Sequence, residues 1–302
     1  MPELPEVETT VRSLQKKVLN RTFLDVWTDA PKLIKIPKNF TEFKKEIKGK
    51  KIKKIWRRGK NILFELSGDK ILLVHQKMTG HLLVGKWVSK NGKWEPIEKG
   101  PLNDPMNRFL HLVFFLDNRE MLSLSDLRKF AKIVLISKKD FGNFNDIKKI
   151  GPEPLDKNFS FKIFKERILK HNGKIKQVLM DQEIVAGIGN IYSDEILWES
   201  KIAPFKLTHD LNEKDLNKIF IAIKKILKKG ISAKGESFSD YRMPDGRRGG
   251  FDKFRMVYKR KGEKCPRCGG IIKREKIGGR SAHFCPACQT NNNGKNVKNT
   301  FK

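Results

Sequence analysis

The sequence predicts an α+β multidomain protein that consists of a β-rich first domain, a helical second domain and a short cysteine hairpin. Three features of its 302 residues support this organisation. Short apolar or alternating runs, which are typical of strands, dominate up to about residue 136. Helical periodicity follows from about residue 151, and all four cysteines lie within 265–288. The chain is long enough for two domains or slightly more.

The first domain, residues 1–150, begins with a predicted helix over 5–19. Val7, Val11, Leu14 and Val18 lie on one stripe of this helix, and the proline and acid near its start suit a first helical turn. Strands separated by turn-forming pairs then predict a β-sandwich or a barrel-like domain. The predicted strands are 51–56, 61–66, 71–75, 81–88, 109–116 and 131–136.

The second domain, residues 151–256, opens with a Gly-Pro-Glu-Pro break and continues with helices. Residues 232–252 are rich in Gly, Ser, Asp and Arg, which predicts a mobile loop. A cysteine module over 257–290 and a disordered polar tail over 291–302 complete the predicted organisation. The predicted helices are 161–170, 176–181, 191–200 and 212–229.

The cysteine module predicts a zinc site. Cys265 and Cys268 form one C-x-x-C pair, and Cys285 and Cys288 form a second pair after sixteen intervening residues. This spacing matches one structural Zn²⁺ held by four thiolates, although two redox pairs are an alternative. His283 lies between the pairs and could replace a cysteine as a ligand, although we expect it on the surface, where it can face a bound partner.

The charge of the chain favours a polyanionic partner. Lys and Arg outnumber Asp and Glu by 65 to 34, which gives a formal net charge of +31. Nucleic acid is therefore the first candidate partner, with a merely solubilising surface as the alternative. No apolar run reaches the ~20 residues that cross a bilayer, and the acidic start does not resemble a signal peptide. We expect a cytoplasmic protein.

Proline in the second position suggests amine chemistry. Removal of Met1 would leave Pro2 as a secondary amine, and a terminal amine has a pKa of about 8, compared with about 10.4 for lysine. Such an amine can attack a sugar C1′ and form a cationic imine. Glu3 and Glu6 lie nearby as candidate proton carriers, although Glu6 also suits a helix start.

Several motifs together resemble bacterial formamidopyrimidine-DNA glycosylases over nearly the whole chain. They are the start Met-Pro-Glu-Leu-Pro-Glu-Val-Glu-Thr, Arg58-Gly59-Lys60, His75 with Met78-Thr79-Gly80, 151–155, 179–182, 187–192 and the cysteine module. The resemblance implies a β-sandwich flanked by helices, then a helix–two-turn–helix domain that ends in a zinc finger. It also implies that DNA lies between the two lobes and that an oxidised base is flipped out.

The resemblance also implies roles for individual residues. Pro2 would be the nucleophile, Glu3 the acid/base that assists sugar-ring opening, Glu6 a supporting acid, and Lys60 a catalytic phosphate contact. Three residues would fill the gap left by the flipped nucleotide: Met78, Arg128 and Phe130. His75 would also bind DNA, and Asn190 and Arg280 would contact its phosphates. For Asn190 the alternative is an ordinary N-cap role.

The sequence departs from the family pattern in two loops. Family members usually carry His-Leu-Gly-Met where this chain has 75–78, and Asp-Pro-Arg-Arg-Phe-Gly where it has 126–131. Both loops therefore lose the conformational constraints of Gly or Pro. The stretch 86–108 has no predicted function, and 235–252 takes the position of the family's lesion-capping loop.

The resemblance predicts a bifunctional glycosylase and abasic-site lyase of base excision repair, which acts as a nucleoid-associated monomer on double-stranded DNA with an oxidised purine. An endonuclease VIII-like enzyme for oxidised pyrimidines is the nearest alternative. Leu4 favours the first branch, because the sister branch usually begins Met-Pro-Glu-Gly. A non-catalytic zinc-ribbon DNA-binding protein and a ribosome-associated RNA-binding protein are further alternatives.

Overall fold

The computed structural model describes residues 1–237 and 240–289, so the predicted tail over 291–302 lies outside the described residues. The chain forms two compact units. The first contains Met1–Lys149 together with Gly230–Asp252, and the second contains Ile150–Lys229 and the chain from Lys253 onward. The predicted domain boundaries had placed 230–252 with the helical domain, whereas its contacts join it to the first unit.

The first unit contains three helices and eleven strands among its described residues. The helices are α1 (Leu4–Lys17), α2 (Phe40–Ile47) and α3 (Asn145–Lys148). The strands are β1 (Phe23–Thr28), β2 (Ile34–Ile36), β3 (Ile52–Arg58), β4 (Asn61–Leu66), β5 (Lys70–His75), β6 (His81–Gly85), β7 (Trp87–Lys90), β8 (Lys93–Pro96), β9 (Leu110–Leu116), β10 (Met121–Ser125) and β11 (Lys132–Ser137).

Two sheets build the predicted β-sandwich. One has the order β1-β9-β10-β6 and the other β2-β11-β5-β4-β3. All pairs within them are antiparallel except β2 and β11. Apolar residues of both sheets pack with α1 and α2 in one buried core, as the alternating pattern predicts. The predicted strand 81–88 was wrong in extent, because β6 ends at Gly85 and β7 pairs with β8 in a separate hairpin.

The second unit is helical and ends in a hairpin. Its helices are α4 (Phe161–Leu169), α5 (Ile175–Met180), α6 (Asn190–Glu199) and α7 (Glu213–Ser232), which continues past the boundary between the units. The hairpin pairs β12 (Lys273–Ile277) with β13 (Arg280–Phe284). None of the helices in the described ranges is long and apolar enough to cross a membrane.

Candidate active site and DNA-binding surface

Directly after the exposed Met1, the chain is buried and closely hydrogen-bonded in the first unit. Pro2 is buried, and Glu3 and Glu6 expose 2% and 1% of their surface. The Glu3 N–H donates to Glu6 Oε2 at 2.8 Å, and the Glu236 N–H donates to Glu6 Oε1 at 2.7 Å. Both oxygens of Glu6 therefore hold backbone amides, which suits a residue that orders the site rather than one that transfers protons.

Charged side chains from three parts of the first unit act on the terminal amine. Burial lowers the pKa of the Met1 amine, while Glu3, Glu6 and Asp240 raise it and Lys60 lowers it. The fold thus places the charge of Lys60 near the terminal amine, together with those of Glu3 and Glu6. Asp240 is an addition that the sequence did not reveal, because nothing in a Ser/Asp-rich loop marks which acid turns inward.

Lys60 and His75 lie at the same end of the second sheet. Gly59 and Lys60 form the tight turn between β3 and β4, and Lys60 is only 6% exposed. The first residue after this turn, Asn61, pairs with His75 on β5. The register therefore places a buried ammonium beside the histidine.

His75 is neutral at physiological pH. Burial, together with the positive charges of Lys77 and Lys60, lowers its pKa to about 3. The Lys77 N–H donates to His75 Nδ1 at 2.9 Å, which assigns the ring proton to Nε2. His75 can therefore serve an anion only as a neutral N–H donor and not as an ion-pair partner.

The three predicted gap-filling residues lie on two loops of the first unit. Met78 is half-buried, while Arg128 is exposed and Phe130 exposes 51% of its surface. The Arg128 guanidinium stacks on the Phe130 ring at 4.5 Å from the centroid. An exposed Phe stabilised only by a stacked Arg is unusual for a core residue, and it favours the DNA-contact interpretation over simple packing.

Asp126 holds these two loops together, and the sequence reasoning missed it. Its fully buried carboxylate accepts hydrogen bonds from the Thr79 hydroxyl and from the backbone N–H groups of Arg128, Phe130 and Ala131. The Arg128 N–H also donates to Thr79 Oγ1 at 3.1 Å. One carboxylate thus fixes the backbone of both loops in this chain.

The stretch 86–108, which had no predicted role, fixes part of the 235–252 segment. Asp104 forms a salt bridge of 2.9 Å with Arg242. Asn107 Nδ2 donates to the Gly246 carbonyl at 3.3 Å, and its Oδ1 lies 3.0 Å from Nε2 of the buried His81. The expected mobile loop is therefore held at residues 242–246 by contacts with the stretch 86–108.

The other end of the segment bonds to α1. The Tyr241 hydroxyl donates to the Glu6 carbonyl at 3.1 Å. Gly235 approaches Glu6 so closely, at a left-handed φ of +82°, that an added Cβ would lie 2.9 Å from the Glu6 side chain. Glycine is required here by both backbone conformation and space.

In the second unit, Asn190 is the first residue of α6. Gly189 is the N-cap, so the N-cap interpretation of Asn190 was wrong. The Asn190 Oδ1 is buried and has no hydrogen-bond partner within the described ranges. The preceding turn is fixed by Gln182, whose amide donates to the Met180 and Ile188 carbonyls and accepts from the Gly187 N–H.

A buried ionic chain connects α5, α6 and the hairpin. Lys176, which is fully buried, donates to Asp194 and also to the Asn190 carbonyl at 3.3 Å. Asp194 Oδ2 accepts from the His283 N–H at 2.9 Å and from its Nδ1 at 3.0 Å. The expected surface position of His283 was wrong, because it is 5% exposed and bonds inward. Arg280, at the start of β13, is exposed.

The four cysteine sulfurs form a compact cluster. They lie within 4.8 Å of one another, with Cys265 and Cys288 at 3.9 Å and Cys268 and Cys285 at 3.4 Å. Tetrahedral Zn–S bonds of ~2.3 Å require sulfur separations of about 3.8 Å. The cluster therefore fits one zinc ion, and four protein ligands give it a structural role.

Each C-x-x-C pair also provides backbone donors for thiolate charge. The amides of Arg267 and Cys268 donate to the Cys265 sulfur, and those of Ala287 and Cys288 donate to the Cys285 sulfur. Burial raises the pKa of the Cys265 thiol, but hydrogen bonds from Trp198 and these amides lower it overall to about 6. Thiolates stabilised in this way are the ligands that zinc requires.

Comparison with known proteins agrees with this arrangement. Three family models match in order: the formamidopyrimidine-DNA glycosylase N-terminal domain at 1–133, its H2TH domain at 150–242, and the zinc finger found in FPG and IleRS at 262–291. The formamidopyrimidine-DNA glycosylase of Heliobacterium modesticaldum is 39% identical over 290 residues, which cover 96% of this chain and 100% of that protein. That of Pelotomaculum thermopropionicum is 37% identical over 96% of this chain and 99% of that protein.

Solved structures show the same relationship. A Lactococcus lactis Fpg mutant in complex with DNA containing Fapy-dG has a TM-score of 0.83 and 37% identity, covering 96% of this chain and 100% of that chain. The complex of the Lactococcus lactis enzyme with abasic-site DNA also has a TM-score of 0.83, at 36% identity over 95% of this chain and 99% of that chain. The chain belongs to the formamidopyrimidine-DNA glycosylase family and is a DNA-repair glycosylase with the zinc finger of that family.

Proposed function

We propose that the protein is a bifunctional glycosylase and abasic-site lyase that removes oxidised purines from double-stranded DNA through the Pro2 amine. The convergence of the charges of Glu3, Glu6, Asp240 and Lys60 on the chain start, where Pro2 is buried, carries this proposal. Buried charges cost free energy, and a group of them around one amine is typical of a site that uses the amine. Loss of Met1 would place a secondary amine among these groups.

In the proposed reaction, the Pro2 nitrogen attacks C1′ and the damaged base leaves with the electrons of the glycosidic bond. Glu3 protonates the ring oxygen O4′ as the C1′–O4′ bond breaks, which leaves a cationic imine between C1′ and Pro2. The imine accepts electron density when a C2′ proton is removed, so the C3′–oxygen bond breaks first. Removal of a C4′ proton then breaks the C5′–oxygen bond, and hydrolysis of the imine releases the unsaturated sugar fragment and restores the Pro2 amine, so that a one-nucleotide gap flanked by phosphates remains.

The DNA contacts follow from the surfaces described above. Lys60 and the Nε2–H of His75 would hold a phosphate next to the lesion. Met78, Arg128 and Phe130 would fill the space of the flipped nucleotide. In the second unit, Asn190 and Arg280 would contact phosphates, and Asn190 would do so through its Nδ2 donors.

Oxidised purines are the proposed substrate class, and a direct comparison tests them. Related Lactococcus lactis structures contain DNA with Fapy-dG and, in one case, an oxidised pyrimidine. The experiment therefore compares duplexes that carry an oxidised purine with duplexes that carry an oxidised pyrimidine. Borohydride should trap the enzyme on 8-oxoguanine:C duplexes much faster than on thymine glycol duplexes. An equal or reversed preference would reject the purine assignment, and failure to trap on either duplex would reject the lyase step.

Arg280→Ala should weaken binding to lesion DNA and undamaged DNA by similar factors. A phosphate contact carries no base information, and its loss should reduce the slope of log K against log [salt] by about 1. Fluorescence anisotropy on both duplexes from 50 to 200 mM salt, an experimental range in which such slopes are large, measures this. Lys261→Ala, at another exposed basic residue of the second unit, serves as the control. A loss confined to lesion DNA would contradict a phosphate role.

A further inference from the structure

The indole of Trp198 lies directly against the cysteine cluster. Trp198 is near the end of α6, and its Nε1–H donates to Cys265 Sγ at 3.3 Å. It packs in one buried cluster with Val257, Cys265, Ile272 and Cys285. A tryptophan N–H is a donor only, so this geometry is directed at negative charge on sulfur.

Arg267 makes a second connection between the same helix and the cluster. Its guanidinium stacks on the Trp198 ring at 3.8 Å, and its Nη1 donates to the Trp198 carbonyl at 2.7 Å. The same Nη1 lies 3.7 Å from Cys288 Sγ. Its Nη2 donates to the Glu199 carbonyl at 3.4 Å, so Arg267 also caps the end of α6.

These contacts reach one sulfur from each C-x-x-C pair. A zinc ion bound by four thiolates carries a formal excess of two negative charges on its ligands, and donors to the sulfurs stabilise that charge. The donors come from the side chains of a helix residue and of an arginine clamped to the same helix. Because both donors are already fixed on α6, they lose little conformational entropy when the metal binds, which favours binding.

We propose that Trp198 and Arg267 are positioning residues of the zinc site, which increase its affinity for zinc by holding charge on Cys265 and Cys288. The metal site is then completed by α6 rather than by the hairpin alone. Removal of either donor should weaken zinc retention without requiring a loss of fold, because the four ligands remain. This inference does not depend on the proposed lyase reaction.

Trp198→Phe is the sharpest variant, since it keeps an aromatic ring beneath Arg267 and removes only the N–H donor and part of the ring. Trp94→Phe is a matched control, because the buried Trp94 N–H has no hydrogen-bond partner in the described parts of the chain. Zinc affinity is measured on the full-length, zinc-loaded protein by competition with a chromogenic chelator. We expect a loss of about tenfold for Trp198→Phe, within the range of about 10- to 100-fold for outer partners of metal ligands, and no change for Trp94→Phe.

Cobalt substitution gives a second readout that packing alone would not change. A lost hydrogen bond raises the energy of the sulfur lone pair, so the sulfur-to-cobalt charge-transfer band of Trp198→Phe should move to longer wavelength. Arg267→Met should also lower the zinc affinity and move the cobalt band to longer wavelength. Arg267→Lys, which keeps the charge, should recover part of the affinity. If Trp198→Phe and Arg267→Met both match Trp94→Phe in zinc affinity and cobalt spectrum, the proposal is wrong.

Discussion

An uncleaved N-terminal extension, which keeps Pro2 within a peptide chain, is expected to reduce borohydride trapping on 8-oxoguanine:C DNA by about 10³-fold or more. An amide nitrogen has no available lone pair, so loss of the nucleophile removes the covalent step entirely. Pro2→Gly, after Met1 removal, keeps a primary amine in nearly the same place and should trap more slowly but measurably. Single-turnover trapping with intact-mass detection of the adduct measures both effects.

Proteolytic removal of the extension to expose Pro2 is the control, and it should restore trapping in the same preparation. DNA binding of the extended protein should fall much less than trapping. The extension does not change the two protein loops that carry Met78, Arg128 and Phe130, nor the zinc hairpin. Undiminished trapping with the extension in place would show that another amine forms the adduct.

The pH dependence of trapping provides an independent check on the same amine. Burial lowers the pKa of the Met1 amine, and Pro2 is itself buried one residue further along. We therefore expect the reactive amine to remain neutral to lower pH than an ordinary terminal amine, so the trapping rate should fall only as pH drops through the lowered pKa. Asp240 raises the amine pKa, so Asp240→Asn should move the midpoint to still lower pH. A midpoint shift to higher pH would contradict this electrostatic arrangement.

Local sequence patterns predicted the elements that are rich in apolar residues. Helix α1 follows from its apolar stripe, and the strands β3, β4, β5, β9 and β11 follow from short apolar or alternating runs, because their apolar residues are buried in the core. The short β2 was not predicted, and neither was α2, although Asn39 caps α2 by accepting the Glu42 N–H at 3.2 Å. With only Phe43 and Ile47 fully buried, α2 presents too few apolar residues to show a period.

The candidate site residues also divide into those that the sequence predicted and those that it did not. Ordered motifs predicted catalytic roles for Pro2, Glu3 and Lys60, which stay predictions, whereas cysteine spacing alone predicted the four sulfurs that the fold brings together. What could not be predicted is how distant segments complete the site. Glu6 bonds the amide of residue 236, and Asp194 bonds His283. Such pairs depend on tertiary packing, and a single sequence carries no signal for them.

Among substitutions of residues that touch neither the sugar nor the metal, Asp126→Asn should cause the largest loss in the free energy of unfolding. The amide has one acceptor oxygen in place of two, so part of the set of Thr79, Arg128, Phe130 and Ala131 donors would be left buried without a partner. Unsatisfied buried groups cost about 1–3 kcal/mol each, and we expect a loss of about 3 kcal/mol in the free energy of unfolding. Chemical denaturation, followed by a probe in the first unit, measures this loss.

The same variant should separate base extrusion from chemistry. Freed loops would place Met78, Arg128 and Phe130 poorly, so excision of 8-oxoguanine from a duplex should fall about tenfold or more, the equivalent of about 1.4 kcal/mol in the barrier. Cleavage at a ready-made abasic site should fall less, because no base has to be unstacked. Thr79→Ser keeps the hydroxyl that donates to Asp126 and should behave nearly as the wild type on both substrates. Equal losses on the two substrates would mean that Asp126 supports the active site generally, and that the two loops have no separate part in extruding the lesion.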